Sequence, residues 1–414
     1  MPETFQPDTP DQIAEIIRWA NANSAPVEII GCGSKVYLGR PVAAEKRVSL
    51  AGFDGVRDYQ PLELVLTAGA GTPLGDIRKV LDENRQMLAF EPPCYRINSD
   101  ENTDAGGTLG GVLACNLSGP RRFFAGAARD HLLGFQAVSG RGECFKAGGR
   151  VVKNVTGFDL SKLISGSWGT LAVLHEVTLK VLPRPEKTRT LLIHNTPVAE
   201  ALAIITRAVQ SAHGVSGAAC LPGSVAARSS ISRVNAGKAT GIVGLRLEGP
   251  EPSVVYRLEA LKTLAIKLHP EAELDELHSI DSLAFWAEIA DLSLMQSRRS
   301  VDQSTHLWRL SLPPANAADI LAKLLVLGAQ DWQLDQAGGS LWVKTPAILD
   351  ASELRQTLNS CGGHATLWWA PASARQHTAV FQPQAPALAA LSQKVKTSFD
   401  PNGILNPGRM YRGM

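Results

Sequence analysis

Ile13, Ile16, Ile17 and Ala20 recur at the period of one helix face, so residues 9–23 predict an amphipathic helix capped by Thr9 or Asp11. A short apolar strand at 27–30 runs into Gly31-Cys32-Gly33-Ser34. A second strand at 64–68 enters Gly69-Ala70-Gly71-Thr72, and a helix follows at 74–83. Glycine is then concentrated between 106 and 169, with a helix-like apolar stretch directly after Gly111. Residues 173–182 alternate as a strand, with Val173, His175, Val177, Leu179 and Val181 on one side. Pro183-Arg184-Pro185 breaks the pattern, and the boundary of a first domain, 1–184, is placed there.

Beyond it the texture changes. Strand-like runs at 191–194, 240–247, 306–312, 340–344 and 365–369 alternate with helical runs at 197–212, 252–268 and 315–327. This order predicts a second α+β domain over 185–394, an antiparallel sheet with helices on one face. A last helix ends at Ser398, and residues 395–414 form a Pro/Gly-rich tail expected to fold back over the first domain.

Composition narrows the function. The chain has 414 residues, 44 % hydrophobic and 19 % charged, enough for two globular domains with sizeable cores. A formal net charge of +2 provides no global field for nucleic acid or an anionic membrane. The six cysteines, at 32, 94, 115, 144, 220 and 361, form no Cys-x-x-Cys, which argues against a zinc site or an iron–sulfur cluster; no metal is expected. The polar start and the lack of any run of about 18 apolar residues fit a cytoplasmic compartment.

The glycine-rich turns each follow a strand or open a helix, a setting in which backbone N–H groups approach an anion such as a diphosphate. Competing phosphate motifs fit poorly. Counted from Gly31 as the first place, the sixth of G-x-G-x-x-G is Val36; counted from Gly69 it is Leu74; and there is no G-x-x-x-x-G-K-[ST]. Longer motifs are more specific. They are Ile30-Gly31-Cys32-Gly33-Ser34-Lys35, Asp104-Ala105-Gly106-Gly107-Thr108-Leu109-Gly110-Gly111 and Gly126-Ala127-Ala128-Arg129-Asp130-His131-Leu132-Leu133-Gly134. Residues 148–160 (GGRVVKNVTGFDL), Gly166-Ser167-Trp168-Gly169-Thr170-Leu171 and the ending 399–409 (FDPNGILNPGR) complete the set.

On these motifs the chain resembles the FAD-binding flavoproteins of the vanillyl-alcohol-oxidase and p-cresol-methylhydroxylase type, and among them the FAD-binding subunits of bacterial glycolate oxidases. The resemblance spans essentially the whole chain and is strongest over 27–182 and 395–409. It implies an α+β fold with an FAD-binding first domain and FAD as cofactor. It implies that amides of Gly31, Cys32, Gly33 and Ser34, beside Lys35, and of Gly107, Thr108, Leu109, Gly110 and Gly111, after Gly106, hold the pyrophosphate. Loops containing Asn116 and Gly119, and Gly126, Ala127, Arg129 and Asp130, would lie along the ribityl chain and flavin. Val173, after Gly169, would meet the adenine end.

Departures from the family pattern matter equally. No histidine stands in the first loop, where Lys35 is found, so a non-covalent flavin is expected; the nearest, His131, follows Asp130. Relatives that oxidise D-2-hydroxy acids directly carry His-x6-His and Glu-His in the second domain. Here His269, His278, His306, His364 and His377 lack that spacing and read as ordinary surface or core residues. Arg309 is a weak catalytic candidate for meeting a carboxylate, weighed against an exposed strand face. Arg121 and Arg122 fit a partner or phosphate contact as well as a solvated loop. Trp368 and Trp369 fit a core or an interface edge, and Cys32 a small residue tolerated between glycines rather than a nucleophile.

The resemblance thus implies a glycolate oxidase subunit acting on a small 2-hydroxy acid, glycolate or D-lactate. It would work with a sister FAD subunit and an iron–sulfur subunit, without nucleic acid, and meet a membrane only through that complex. A self-sufficient oxidase of another alcohol and a non-catalytic flavin-binding scaffold are the alternatives.

Overall fold

Thr9 caps the first turn of the opening helix: its hydroxyl accepts from the Gln12 amide, and Pro10 takes the first helical position. The helix, Pro10–Ala22, buries Ile13, Ala14, Ile17 and Ala20, the face that the apolar spacing predicts. The computed structural model describes residues 3–95, 106–149, 157–236, 241–295 and 304–414. Asp104 and Ala105 of the second glycine motif, and residues 150–156 of the GGRVVKNVTGFDL motif, lie outside them.

The chain divides into two compact units. The first comprises Met1–Ser118, Gly126–Arg184 and Ala372–Met414. It holds a parallel three-stranded sheet in which Lys46–Ser49 runs between Glu3–Phe5 and Val27–Ile30. An antiparallel five-stranded sheet has the order Val56–Gln60, Val65–Gly69, Ala172–Lys180, Leu132–Ser139, Cys144–Gly148. Its strand Val65–Gly69 is buried at every position, so both of its faces are covered.

The tail is part of this unit's core. Ile404 and Leu405 pack with Ile13, Ile17, Val27, Val48 and Val173. Val27 N donates to Ile404 O at 2.9 Å and Asn406 N to Val27 O at 3.0 Å, so the tail adds an extended segment beside Val27–Ile30. Lys396, on the helix Pro386–Phe399, is the polar pin. Its buried Nζ donates to Asp400 Oδ2 at 2.6 Å, Thr170 O at 2.8 Å and Leu405 O at 3.0 Å. Asp400 in turn accepts from the amides of Ile404 and Leu405. The first unit takes the chain back at Ala372, well before the tail expected from residue 395.

The second unit, Gly119–Ala125 with Pro185–Pro371, contains an eight-stranded sheet whose described pairings are all antiparallel. Residues 190–194 and 242–247 are buried without alternation, so both faces of the strands Lys187–His194 and Ile242–Gly249 are covered, unlike the one-sided cover expected. On one face the helix Ser279–Asp291 docks through Ser282 and Trp286, which share hydrogen bonds with Thr190 Oγ1.

Gly119–Ala125 belongs to this second unit although its sequence neighbours on both sides belong to the first. Arg121 explains the excursion. It is buried, not solvated, and its Nη2 and Nε donate to Glu248 Oε1 at 2.6 Å and Oε2 at 3.1 Å. Arg246, wholly buried over the Trp286 ring, donates to Ser216 and lies 3.7 Å from the same carboxylate. Burial alone would raise the Glu248 pKa, but the Arg246 and Arg121 guanidiniums outweigh it and hold the group at about 2, below its ordinary 4.5. A carboxylate depressed in the folded state stabilises above its unfolded pKa and loses that contribution as pH falls through the folded one. The contribution is on the order of 3 kcal/mol. Urea midpoints of the protein and of Glu248→Gln should therefore differ most above pH 4.5 and converge as pH falls toward about 2. A gap independent of pH over that window would contradict the ion pair's role.

Candidate functional site

The strand Val27–Ile30 ends in the loop of residues 31–36, and this loop forms one wall of a cleft within the first unit. The other walls come from Ala70, from Thr108, Gly110 and Gly111, from Ser167, Trp168 and Gly169, and from Asn406 and Arg409 of the tail. Gly31 is required by close approach: a Cβ there would stand 2.2 Å from Thr108 Oγ1. Gly33 takes φ +77°, which an L side chain rarely adopts.

Two glycine motifs meet at this cleft, and they do different work. In the first loop the backbone N–H groups of Cys32, Gly33, Ser34 and Lys35 donate to no atom among the described residues. In the second the amides of Gly107 and Thr108 likewise donate to no atom among the described residues, whereas those of residues 109–111 are spent. Leu109 N donates to Thr72 O at 2.9 Å, Gly110 N to Ala70 O at 2.8 Å and Gly111 N to Thr108 Oγ1 at 3.3 Å. The expected diphosphate donors at residues 109–111 are therefore committed to the fold. Their glycines instead let the short helix Leu109–Ala114 lie directly on Ala70, which a Cβ at Gly110 would meet at 2.7–2.8 Å.

The electrostatics favour an anion. Lys35 is half-buried, its Nζ donates to Ser34 Oγ at 3.0 Å, and no carboxylate among the described residues pairs with it. Burial pushes its pKa below the ordinary lysine value, with the neighbouring thiols of Cys115, Cys32 and Cys94 opposing the shift. Burial likewise raises the Cys115 thiol to about 11, so this cysteine is a neutral wall and not a nucleophile. An unpaired ammonium beside four unspent amides fits a diphosphate: each gains a partner that the protein itself does not provide.

Of the residues singled out in sequence, Gly31, Cys32, Gly33, Ser34, Lys35, Thr108, Gly110, Gly111 and Gly169 line this cleft. Gly107, at φ +93°, lies behind Lys35 Nζ, and Gly106 packs on Cys94. Leu109 and Val173 are wholly buried; Val173 packs in the core around the first helix. Asn116, Gly126, Ala127, Arg129 and Asp130 form a turn that satisfies itself. Arg129 N donates to Asn116 Oδ1 at 3.1 Å and Ala127 N to Asp130 Oδ2 at 2.9 Å. Gly119 lies in the second unit.

Arg309, also in the second unit, is neither exposed nor free. Its guanidinium stacks 5.3 Å from the Trp342 ring and 5.8 Å from that of Trp368, and its Nε donates to Ser340 Oγ at 3.4 Å. His131, the nearest histidine to the loops, is buried against Phe90 and does not line the cleft. Among the described residues no three of His, Cys, Asp and Glu gather as a metal site. The sequence reading did not single out Arg409, Asn406 or Trp168 as cleft residues, although Trp168 stands in the motif at 166–171 and the other two in the NPGR ending.

Residues 3–148 match the family model of the FAD binding domain. Over 406 residues, 98 % of this chain and 98 % of the other, the sequence is 32 % identical to the glycolate oxidase subunit GlcE of Escherichia coli (strain K12). The chain belongs to the GlcE family of FAD-linked oxidoreductases. It is also 26 % identical, over 46 % of its length and 39 % of the other's, to the glycolate oxidase subunit GlcD of Bacillus subtilis (strain 168). The solved structure of p-cresol methylhydroxylase with substrate bound shares the fold, with a TM-score of 0.71 at 14 % identity over 98 % of this chain and 88 % of that one. The architecture is thus that of the p-cresol-methylhydroxylase type, an FAD-binding domain followed by a second domain built on a large antiparallel sheet. The cofactor of this family is FAD.

Proposed function

We propose that the chain is a flavin subunit of a glycolate oxidase complex, holding FAD non-covalently and serving the oxidation of glycolate or a similar small 2-hydroxy acid. The observation that carries this reading is the first-unit cleft, where unspent amides and an unpaired ammonium await a diphosphate, in a chain alike from end to end to a glycolate oxidase subunit. Amides of residues 32–35 and the Lys35 ammonium hold the diphosphate in this reading. Gly31 and Gly110 let the cleft's walls approach one another with no side chain between them. Bound FAD supplies the two-electron acceptor for an alcohol carbon. No histidine lines the described cleft, which supports reversible attachment.

The complex would contain a sister FAD subunit and an iron–sulfur subunit to which electrons leave. Arg309, beside the Trp342–Trp368 ring pair, is the weak candidate for meeting a substrate carboxylate, and alone it is a thin substitute for a metal-held substrate. No helix among the described residues is long and apolar enough to cross a membrane, so a membrane contact would come through the complex. Acid denaturation should release FAD, not FMN, into the supernatant; flavin left with the precipitate would contradict non-covalent binding. In a dye-reduction assay with glycolate or D-lactate, the lone chain is expected to turn over far more slowly per flavin than the chain co-expressed with both partner subunits. Equal rates would make it a self-sufficient enzyme, and a purified chain without flavin would make it a scaffold.

A further inference from the structure

The cleft has a second cation that no glycine motif predicts. Arg409 reaches it from the C-terminal tail, lies 5.9 Å from the Trp168 ring, and donates from Nη2 to Lys35 O at 2.6 Å and from Nη1 to Arg40 O at 3.1 Å. It therefore grips the backbone of the very loop whose amides are unspent. Burial lowers its pKa, with Cys115 and Glu28 opposing the shift. The one carboxylate among the described lining residues, Glu28, is already paired: Arg47 Nε and Nη2 donate to its Oε2 at 2.9 and 2.7 Å. Lys35 and Arg409 thus leave two positive charges uncompensated in one cleft, and a diphosphate diester carries two negative charges at neutral pH.

We propose that Arg409 is a diphosphate-binding residue and that, because the tail delivers it, cofactor binding and tail docking stabilise each other. The proposal rests on the FAD reading of the cleft. The tail is connected to both neighbouring walls: Ile29 N donates to Asn406 Oδ1 and Asn406 Nδ2 donates to Trp168 O, each at 2.8 Å. With no anion bound, the burial of two cationic groups in the cleft is uncompensated and works against docking of the tail; a bound diphosphate compensates that burial and favours the docked tail. By linkage, whatever strengthens tail docking then strengthens FAD binding, and the reverse.

The test uses the full chain stripped of flavin, titrated with FAD by fluorescence quenching, with hydrogen exchange followed over residues 399–414. FAD should slow exchange of these residues in the wild type. Arg409→Gln should weaken FAD binding by roughly tenfold to a hundredfold and abolish the slowing, because a charge-assisted contact is lost. Arg409→Lys, which keeps the charge, should recover most of the affinity. Unchanged tail exchange in wild type on adding FAD overturns the coupling, whether or not the Gln variant folds. Binding by Arg409→Gln within twofold of wild type, or equal losses in the Lys and Gln variants, overturns the electrostatic role and leaves the FAD reading standing. A wild-type chain that takes up no FAD removes both.

Discussion

Gly110→Val should purify with little or no flavin. Its added Cβ would come within 2.8 Å of Ala70 O and 2.7 Å of Ala70 Cβ, backbone and core atoms that have no room to yield. The hydrogen bond from Gly110 N to Ala70 O fixes the glycine at this spot. Relief requires the helix Leu109–Ala114 to move off Ala70, and Thr108 and Gly111, which form the cleft wall beside Lys35, move with it. Overpacking of this kind costs about 1–3 kcal/mol, and when it is paid within a binding wall it weakens the ligand roughly tenfold to a hundredfold. Gly107→Val should act similarly by another route. It forces a β-branched residue to φ +93° and places its Cβ 2.1 Å from Lys35 Nζ, displacing the ammonium. Absorbance ratios of flavin to protein, with circular dichroism to show retained folding, check both. Wild-type flavin content in either folded variant would overturn the placement of the diphosphate against this wall.

The second large effect concerns stability. Lys396→Met should destabilise the protein by about 3–5 kcal/mol, since it removes one partner of a buried ion pair and leaves the other charged. The Lys396 and Asp400 side chains are 2 % and 0 % exposed, and three acceptors converge on the ammonium, so no water replaces it. The loss should appear as a fall in Tm of roughly 10 °C and as earlier proteolysis of the tail. Lys396→Met with Asp400→Leu should recover part of the loss, because the orphaned carboxylate is gone. A Tm within 2 °C of wild type, about 1 kcal/mol by the same scaling, would show that the pair is not the pin.

Local pattern carried the periodic elements. Pro10–Ala22, Val27–Ile30 and Leu74–Glu83 were legible because each buries a face whose spacing is written in consecutive residues. The strands Gly217–Leu221 and Glu273–His278 were not. The first is built from small residues with little strand preference and the second from charged ones; partners 21 or more residues away hold them in the sheet. The same division runs through the site. Residue order alone announced the glycine motifs, the family and the cofactor, because glycine where a wall must approach closely is a local demand. That the amides of Leu109 and Gly110 are spent within the fold was decided by Thr72 and Ala70, well before the second motif in the chain. Arg121 found its place through Glu248, and Arg409 through Lys35 and Trp168, across separations of more than a hundred residues. A side chain's charge is known from its position in the sequence, but whether that charge is solvated, paired or left facing a cleft depends on which distant backbone the fold brings beside it.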